Sequence, residues 1–156
     1  MKGTTVLCFD FGLKRIGVAV GQTATNSGRP LTTISAVSGI PDTTVLKRVL
    51  NEWQPELVIV GQTYSDTSKS KSNKRFNKAH NEFINQLTSQ YGLPVEIINE
   101  AYTTLAANHA LAEEGIKAHN RTALRDQYAA LEILNTWMNE RHNQRTKTLD
   151  QLNSNL

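Results

Sequence analysis

Cysteine is almost missing from this chain: Cys8 is the only one in 156 residues. A single thiol excludes an internal disulfide and a cysteine-ligated zinc site. Its position inside an apolar run reads as packing. Long apolar runs are missing too, none approaching the roughly 20 residues that cross a bilayer. Met1-Lys2-Gly3 leads straight toward an apolar strand, without the segment and cleavage site of a secretory signal. A cytoplasmic protein is the expectation. Excess charge is small, at +3, and is in itself a weak argument for a nucleic-acid partner. The four histidines, His80, His109, His119 and His142, show no metal-ligand spacing and receive no role. Aromatic residues make up only 6%, and Trp53, Trp137 and Tyr128 read as core rather than base-stacking platforms.

What is present suits one domain with a real core, set here at 1–140, followed by a polar, frayed tail over 141–156. Three apolar segments open the chain: Thr4 to Phe11, Arg15 to Val20, and about Pro30 to Val37. Short turns separate them, as in an antiparallel meander. Asp42 is a plausible N-cap for a helix with Val45, Leu46, Val49, Leu50 and Trp53 at helical spacing, stopped by Gln54-Pro55. Leu57 to Gly61 reads as a buried strand. Gln62 to about Ser72 reads as a mobile loop. A helix carrying Phe76, Ala79, Phe83, Ile84 and Leu87 follows, ended by Gly92 and Pro94. Val95 to Ile98 forms a further strand. Helices are expected at about 103–114 and 123–140, parted by Gly115. The order predicts a mixed sheet of five strands covered by helices, an α/β protein without repeats.

Asp10 carries most of the chemical information. It ends the run Thr5-Val6-Leu7-Cys8-Phe9, and Phe11-Gly12-Leu13-Lys14-Arg15 follows at once. A carboxylate at the mouth of a buried strand is costly to desolvate unless a cation or donor offsets it. Mg²⁺, which favours oxygen ligands, and the basic pair Lys14 and Arg15 are both candidates. Glu100 stands directly after the strand ending Ile97-Ile98-Asn99. If that strand runs parallel to the first, both carboxylates share one sheet edge, where α/β sites gather. Alone, Glu100 also reads as a loop or cap residue. Asp126 continues the apolar stripe Ala129, Ala130, Ile133, Leu134 and Trp137 toward the helix N-terminus. Alone, it also reads as a first-turn acid serving the helix dipole. Three convergent carboxylates would need cations, because each uncompensated buried charge costs several kcal/mol. Two divalent ions would serve, an arrangement suited to phosphodiester hydrolysis.

Positive charge is locally dense. Lys69, Lys71, Lys74, Arg75 and Lys78 fall in one stretch with no acid among them, and Arg141, Arg145 and Lys147 form a second group. Such density can bind phosphates, although a solvated helix face is the plainer account.

The opening segment Asp10 to Val20 resembles that of the YqgF family, also called RuvX. Val58-Ile59-Val60-Gly61 is similar to its fourth strand, Asn99-Glu100-Ala101-Tyr102-Thr103-Thr104 to its Asp-Glu-Arg-x-Ser/Thr-Thr segment, and Arg125-Asp126-Gln127-Tyr128-Ala129-Ala130 to its Asp-Ser-x-Ala-Ala segment. The resemblance covers about Thr4 to Met138. It implies a ribonuclease H-like fold and a nuclease that matures the 5′ end of precursor 16S ribosomal RNA, with Holliday junction resolution as the alternative. It implies a catalytic, metal-binding triad of Asp10, Glu100 and Asp126 holding Mg²⁺ or Mn²⁺, with two ions expected. Nucleic acid is the implied partner, contacted through Lys14, Arg15, Lys69, Lys71, Lys74, Arg75 and Lys78; monomer and homodimer both stay open. The chain departs from the family pattern at Gln62-Thr63, where Leu-Pro is usual, and at Asn99, Ala101 and Gln127. These departures motivate a third reading, a non-catalytic RNA- or protein-binding factor on a nuclease fold. A similarity of Asp10-Phe11-Gly12 and Gly17 to the first phosphate loop of actin-like ATPases is weaker, since those need two such domains.

Overall fold

Two continuous apolar runs, Val6 to Phe9 and Ile16 to Val20, lie within the first twenty positions, and the chain folds there into a hairpin. Strands β1 (Thr5–Asp10) and β2 (Arg15–Gln22) pair antiparallel, with Asp10 opposite Gly17. The computed structural model describes residues 3–62, 71–99 and 118–154. β3 (Ser27–Val37) continues the meander, and β4 (Ile40–Pro41) adds a two-residue strand at its edge. The register of β2 and β3 slips between Val18, opposite Thr32, and Ala19, opposite Pro30. Leu31 is the extra residue, and the bulge falls beside a proline that lacks the N–H a regular ladder uses.

Helix α1 (Thr43–Trp53) begins where Asp42 Oδ1 accepts from the Thr44 and Val45 N–H groups at 3.1 and 3.3 Å. It ends at Gln54, which turns left-handed before Pro55. β5 (Leu57–Gln62) then lies parallel to β1, with Gly61 beside Asp10. Helix α2 (Lys71–Asn85) runs into a π-helical turn, Gln86–Gln90, and Gly92 reverses the chain at φ +65°. β6 (Val95–Asn99) is parallel to β5, and α3 (Ala118–Ser154) closes the described fold. Strand order is β4-β3-β2-β1-β5-β6. The sheet has six strands rather than five; β4 is too short to leave a periodic signal.

Strand alternation divides the core in two. Leu7, Phe9, Phe11, Ile16, Val18, Val20, Ile34, Val58 and Val60 face α1 and α2, meeting Leu46, Leu50, Ala79, Phe83 and Leu87. On the other face Val6, Cys8, Ala19 and Ile59 meet Ala130, Ile133, Leu134, Trp137 and Met138 of α3. His80 is buried on the first face, its ring 5.3 Å from Phe11 and 5.9 Å from Phe76, and burial pushes its pKa down. The tail expected over 141–156 is helical through Ser154. Beyond Met138 that helix turns polar and exposed, so apolar periodicity could not report it. The loop expected after Gln62 and the helix expected at about 103–114 lie largely or wholly outside the described residues.

Helix α3 sits unusually low on the sheet. A Cβ built at Gly17 would collide with the Asp126 carbonyl, and one at Gly61 with the Ile133 side chain. At Gly21 the obstruction is chiefly the flexible ends of Met138 and Leu134. Gly17→Ala should therefore cost about 1–3 kcal/mol, because helix backbone must move, while Gly21→Ala should cost less. Chemical denaturation of both variants tests this; equal costs would contradict a backbone contact at Gly17.

Candidate active site

β1 and β6 both run parallel to β5, so their carboxyl ends share one edge of the sheet. Asp10 is the last residue of β1 and, by alternation from Val6 and Cys8, points to the α3 face. Its strand neighbours at that level are Gly17 and Gly61. Neither carries a side chain, and α3 descends into the space they leave. The first described turns of α3 are pinned from below. Thr33 Oγ1 of β3 donates to the Ala123 carbonyl at 2.6 Å and accepts from Gln127 Nε2 at 3.1 Å.

This seating carries Asp126 to Asp10. Burial first, and then the negative charge of Asp126, push the Asp10 carboxyl up from 3.8 to about 7, with Arg125 opposing. Asp126 is compensated separately: Arg15 Nε donates to its Oδ2 at 2.8 Å. The side chains are 36% and 16% exposed, so the pair is partly desolvated. Cys8 lies on the same face, and burial followed by the Asp10 charge holds its thiol protonated. The local donor set is thus carboxylate oxygen, without thiolate, as hard cations such as Mg²⁺ and Mn²⁺ prefer.

Two of the three expected acids, Asp10 and Asp126, are therefore brought together. Glu100 lies outside the described residues, although β6 ends at the residue before it. Among the described residues, no group of three or more His, Cys, Asp or Glu side chains is placed to hold an ion. Lys14 is exposed at the β1–β2 connection, whereas Arg15 is engaged by Asp126. Lys74, Arg75 and Lys78 are exposed on α2, which packs on the opposite sheet face from the Asp10 side chain. Lys71 begins α2, and Lys69 lies outside the described residues. Sequence reasoning missed Arg125, the cation that tempers Asp10, though adjacency to Asp126 could have flagged it. It also read Gln127 only as a lost serine, whereas its amide holds Thr33.

The raised acid makes stability pH-dependent. Between about pH 4 and pH 7 the folded chain keeps a proton on Asp10 that the unfolded chain has released, so stability falls as pH rises through that window. Above it the cost is complete. Asp10→Asn should thus stabilise the metal-free chain by about 4 kcal/mol at pH 8, and by little at pH 4. Denaturation in EDTA at both pH values measures the difference; a gain independent of pH would refute the placement of Asp10.

Comparison with known proteins places the chain among its relatives. A family model described as "RuvX: Holliday junction resolvase" matches residues 4–140. The chain is 38% identical over 144 residues to a Pectobacterium carotovorum protein named "Putative pre-16S rRNA nuclease", covering 91% of this chain and all of that one. A protein of the same name from Nitrosococcus oceani is 40% identical over 139 residues, covering 89% of each. Among solved structures, Thermus thermophilus RuvC in complex with a Holliday junction superposes with a TM-score of 0.54 at 19% identity, covering 89% of this chain and 96% of that one. The yeast mitochondrial Holliday junction resolvase gives 0.52 at 10% identity, covering 85% and 77%. At such identities these two speak for the ribonuclease H-like fold alone. By the extent of the family match and the identity to its relatives, this chain belongs to the RuvX family.

Proposed function

We propose that this chain is a Mg²⁺- or Mn²⁺-dependent nuclease that hydrolyses phosphodiester bonds at the 5′ end of precursor 16S ribosomal RNA. The observation that carries the reading is the meeting of Asp10 and Asp126 at the carboxyl edge of the parallel strands, where Asp126 helps hold the Asp10 carboxyl near neutrality. Such a pair gains from a bound cation, and a pKa displaced by burial and a like charge is typical of functional carboxyls. The names borne by the relatives support the choice of RNA.

Asp10 and Asp126 would hold the metal, with Glu100 as the third ligand. Bound there, a pair of divalent ions supplies an activated water on one side of the phosphate and charge neutralisation of the leaving oxygen on the other. Asp126 accepts from Arg15 at Oδ2, and a carboxylate has further acceptor capacity for a metal. Arg15 spends one of its five N–H donors on that bond; the others suit a substrate phosphate. Arg125 limits the rise of the Asp10 pKa and so keeps the carboxylate form accessible near neutral pH. Lys14 and the exposed bases of α2 would bind phosphates beyond the cleavage point, which position a strand without reading its sequence.

Cleavage of labelled precursor RNA, single-stranded RNA and a four-way DNA junction, each with Mg²⁺, Mn²⁺ or EDTA, tests the reading. Wild type should cut the RNA precursor only with metal, and Asp10→Asn, Glu100→Gln and Asp126→Asn should each lose more than about a hundredfold in rate. Preferential cutting of the junction would move the substrate to branched DNA. Salt-sensitive binding without cutting, equal in wild type and Asp10→Asn, would replace the nuclease with a binding factor.

A further inference from the structure

The hairpin of β3 and β4 turns through Ser38 and Gly39, at φ +51° and +82°. Two successive positive φ values match the tight hairpin turn whose twist suits antiparallel strands. Val37 and Ile40 close this turn as directly opposed partners. They are 78% and 64% exposed, among the most exposed large apolar residues of the described chain. Two β-branched side chains paired at a hairpin tip form a small rigid apolar surface.

The tip is fixed in place. Gly39 N–H donates to the Leu13 carbonyl and Ala36 N–H to the Lys14 carbonyl, both at 2.9 Å. Asp42 N–H donates to the Ser35 carbonyl, also at 2.9 Å. A Cβ at Gly39 would stand 2.6 Å from Ala79 Cβ and 3.0 Å from Phe11 Cζ. The turn is therefore wedged between α2 and the residue that follows Asp10, at the carboxyl edge that carries the candidate site. Its surroundings are basic: Lys14 lies exposed on the connection it bonds to, and Lys74, Arg75 and Lys78 are exposed on the helix it touches.

An apolar tip next to a basic connection and a basic helix, with Asp42 the exposed acid beside it, complements a strand of nucleic acid whose bases are free, with phosphates for the lysines and a base face for the aliphatic pair. A continuous duplex offers the phosphates but keeps its bases stacked. Aliphatic side chains inserted at unstacked base steps are a recurrent mode of nucleic-acid binding, and unpaired RNA is recognised largely through splayed bases. We propose that Val37 and Ile40 contact an unstacked nucleobase beside the scissile phosphate, so that the substrate is nucleic acid unpaired at the cleavage point. This rests on the nuclease reading above.

The test is binding in EDTA, where cutting is suppressed, to a labelled single-stranded RNA and to the same RNA annealed to its complement. Wild type should favour the single strand. The double variant V37S/I40S should lose about tenfold on the single strand and nothing on the duplex. Its salt dependence should be unchanged, because the phosphate contacts remain. I40W, which enlarges the apolar surface, should tighten single-strand binding, and thermal melting of each variant reports that the fold is kept. Single-strand binding unchanged in both variants would overturn the role of the hairpin and leave the pair to a protein partner, while metal-dependent cutting lost in Asp10→Asn would still uphold the nuclease. Failure of wild type to bind either RNA in EDTA would likewise overturn the hairpin contact, while the nuclease reading stands or falls on metal-dependent cutting.

Discussion

Everything at the candidate site depends on how closely α3 approaches the sheet. Asp10 is flanked in register by Gly17 on β2 and Gly61 on β5, so the sheet has a depression beside its one acidic strand end. The helix fills it with the Asp126 backbone on one side and Ile133 on the other. Two acids that are far apart in sequence are brought into mutual range at an electrostatic cost: burial first, and then the Asp126 charge, pushes the Asp10 carboxyl up. Packing of Ala130, Ile133, Leu134, Trp137 and Met138 against the sheet offsets that cost. The site is thus a strained electrostatic arrangement held by an apolar one, and a divalent cation is the natural means of relieving it.

The same constraint explains the polar residues around the acids. Arg15 extends from the start of β2 to Asp126, and Arg125 lies near enough to temper Asp10. Thr33 reaches from β3 to both Ala123 and Gln127. Arg15 and Thr33 thereby tie the stretch of α3 from Ala123 to Gln127 to the sheet. Gln127, a departure from the family's usual serine, does this with a longer arm. The substitution is therefore part of the scaffold that sets the angle of Asp126.

Legibility from sequence followed the strength of the local signal. The Asp42 cap, the stop at Gln54-Pro55 and the reversal at Gly92 were readable because each rests on one residue's backbone chemistry. β1, β2 and β5 were readable as strands because their apolar runs are continuous and long enough to count, but with both sides apolar the runs did not tell which residue takes which face. β4 was not, having two residues; nor was the last part of α3, where polar residues carry no period once the sheet is left behind. Asp10 and Asp126 could each be suspected singly. Their meeting was expected only through the family resemblance; the residues alone did not show it, because it depends on missing side chains at Gly17 and Gly61, which a sequence reader takes for turn or strand weakness rather than for close approach.

Asp10 and Phe11 are consecutive, and the pleat sends them to opposite faces of the sheet. Asp10 enters the depression beneath α3. Phe11 enters an aromatic group with Phe76, His80 and Phe83, at ring separations of 5.3–5.4 Å, and touches the turn at Gly39. One peptide unit therefore links the acidic centre on one face to the basic helix and the apolar hairpin tip on the other. A substrate strand lying along the carboxyl edge would meet both faces at once: acids and their cation at the cleaved bond, lysines and aliphatic carbons beside it. Phe11 packs among those rings directly after Asp10, so the backbone that carries Asp10 is tied to a close-packed aromatic group. On the proposed reading, grip and chemistry would both be positioned by the same strand end.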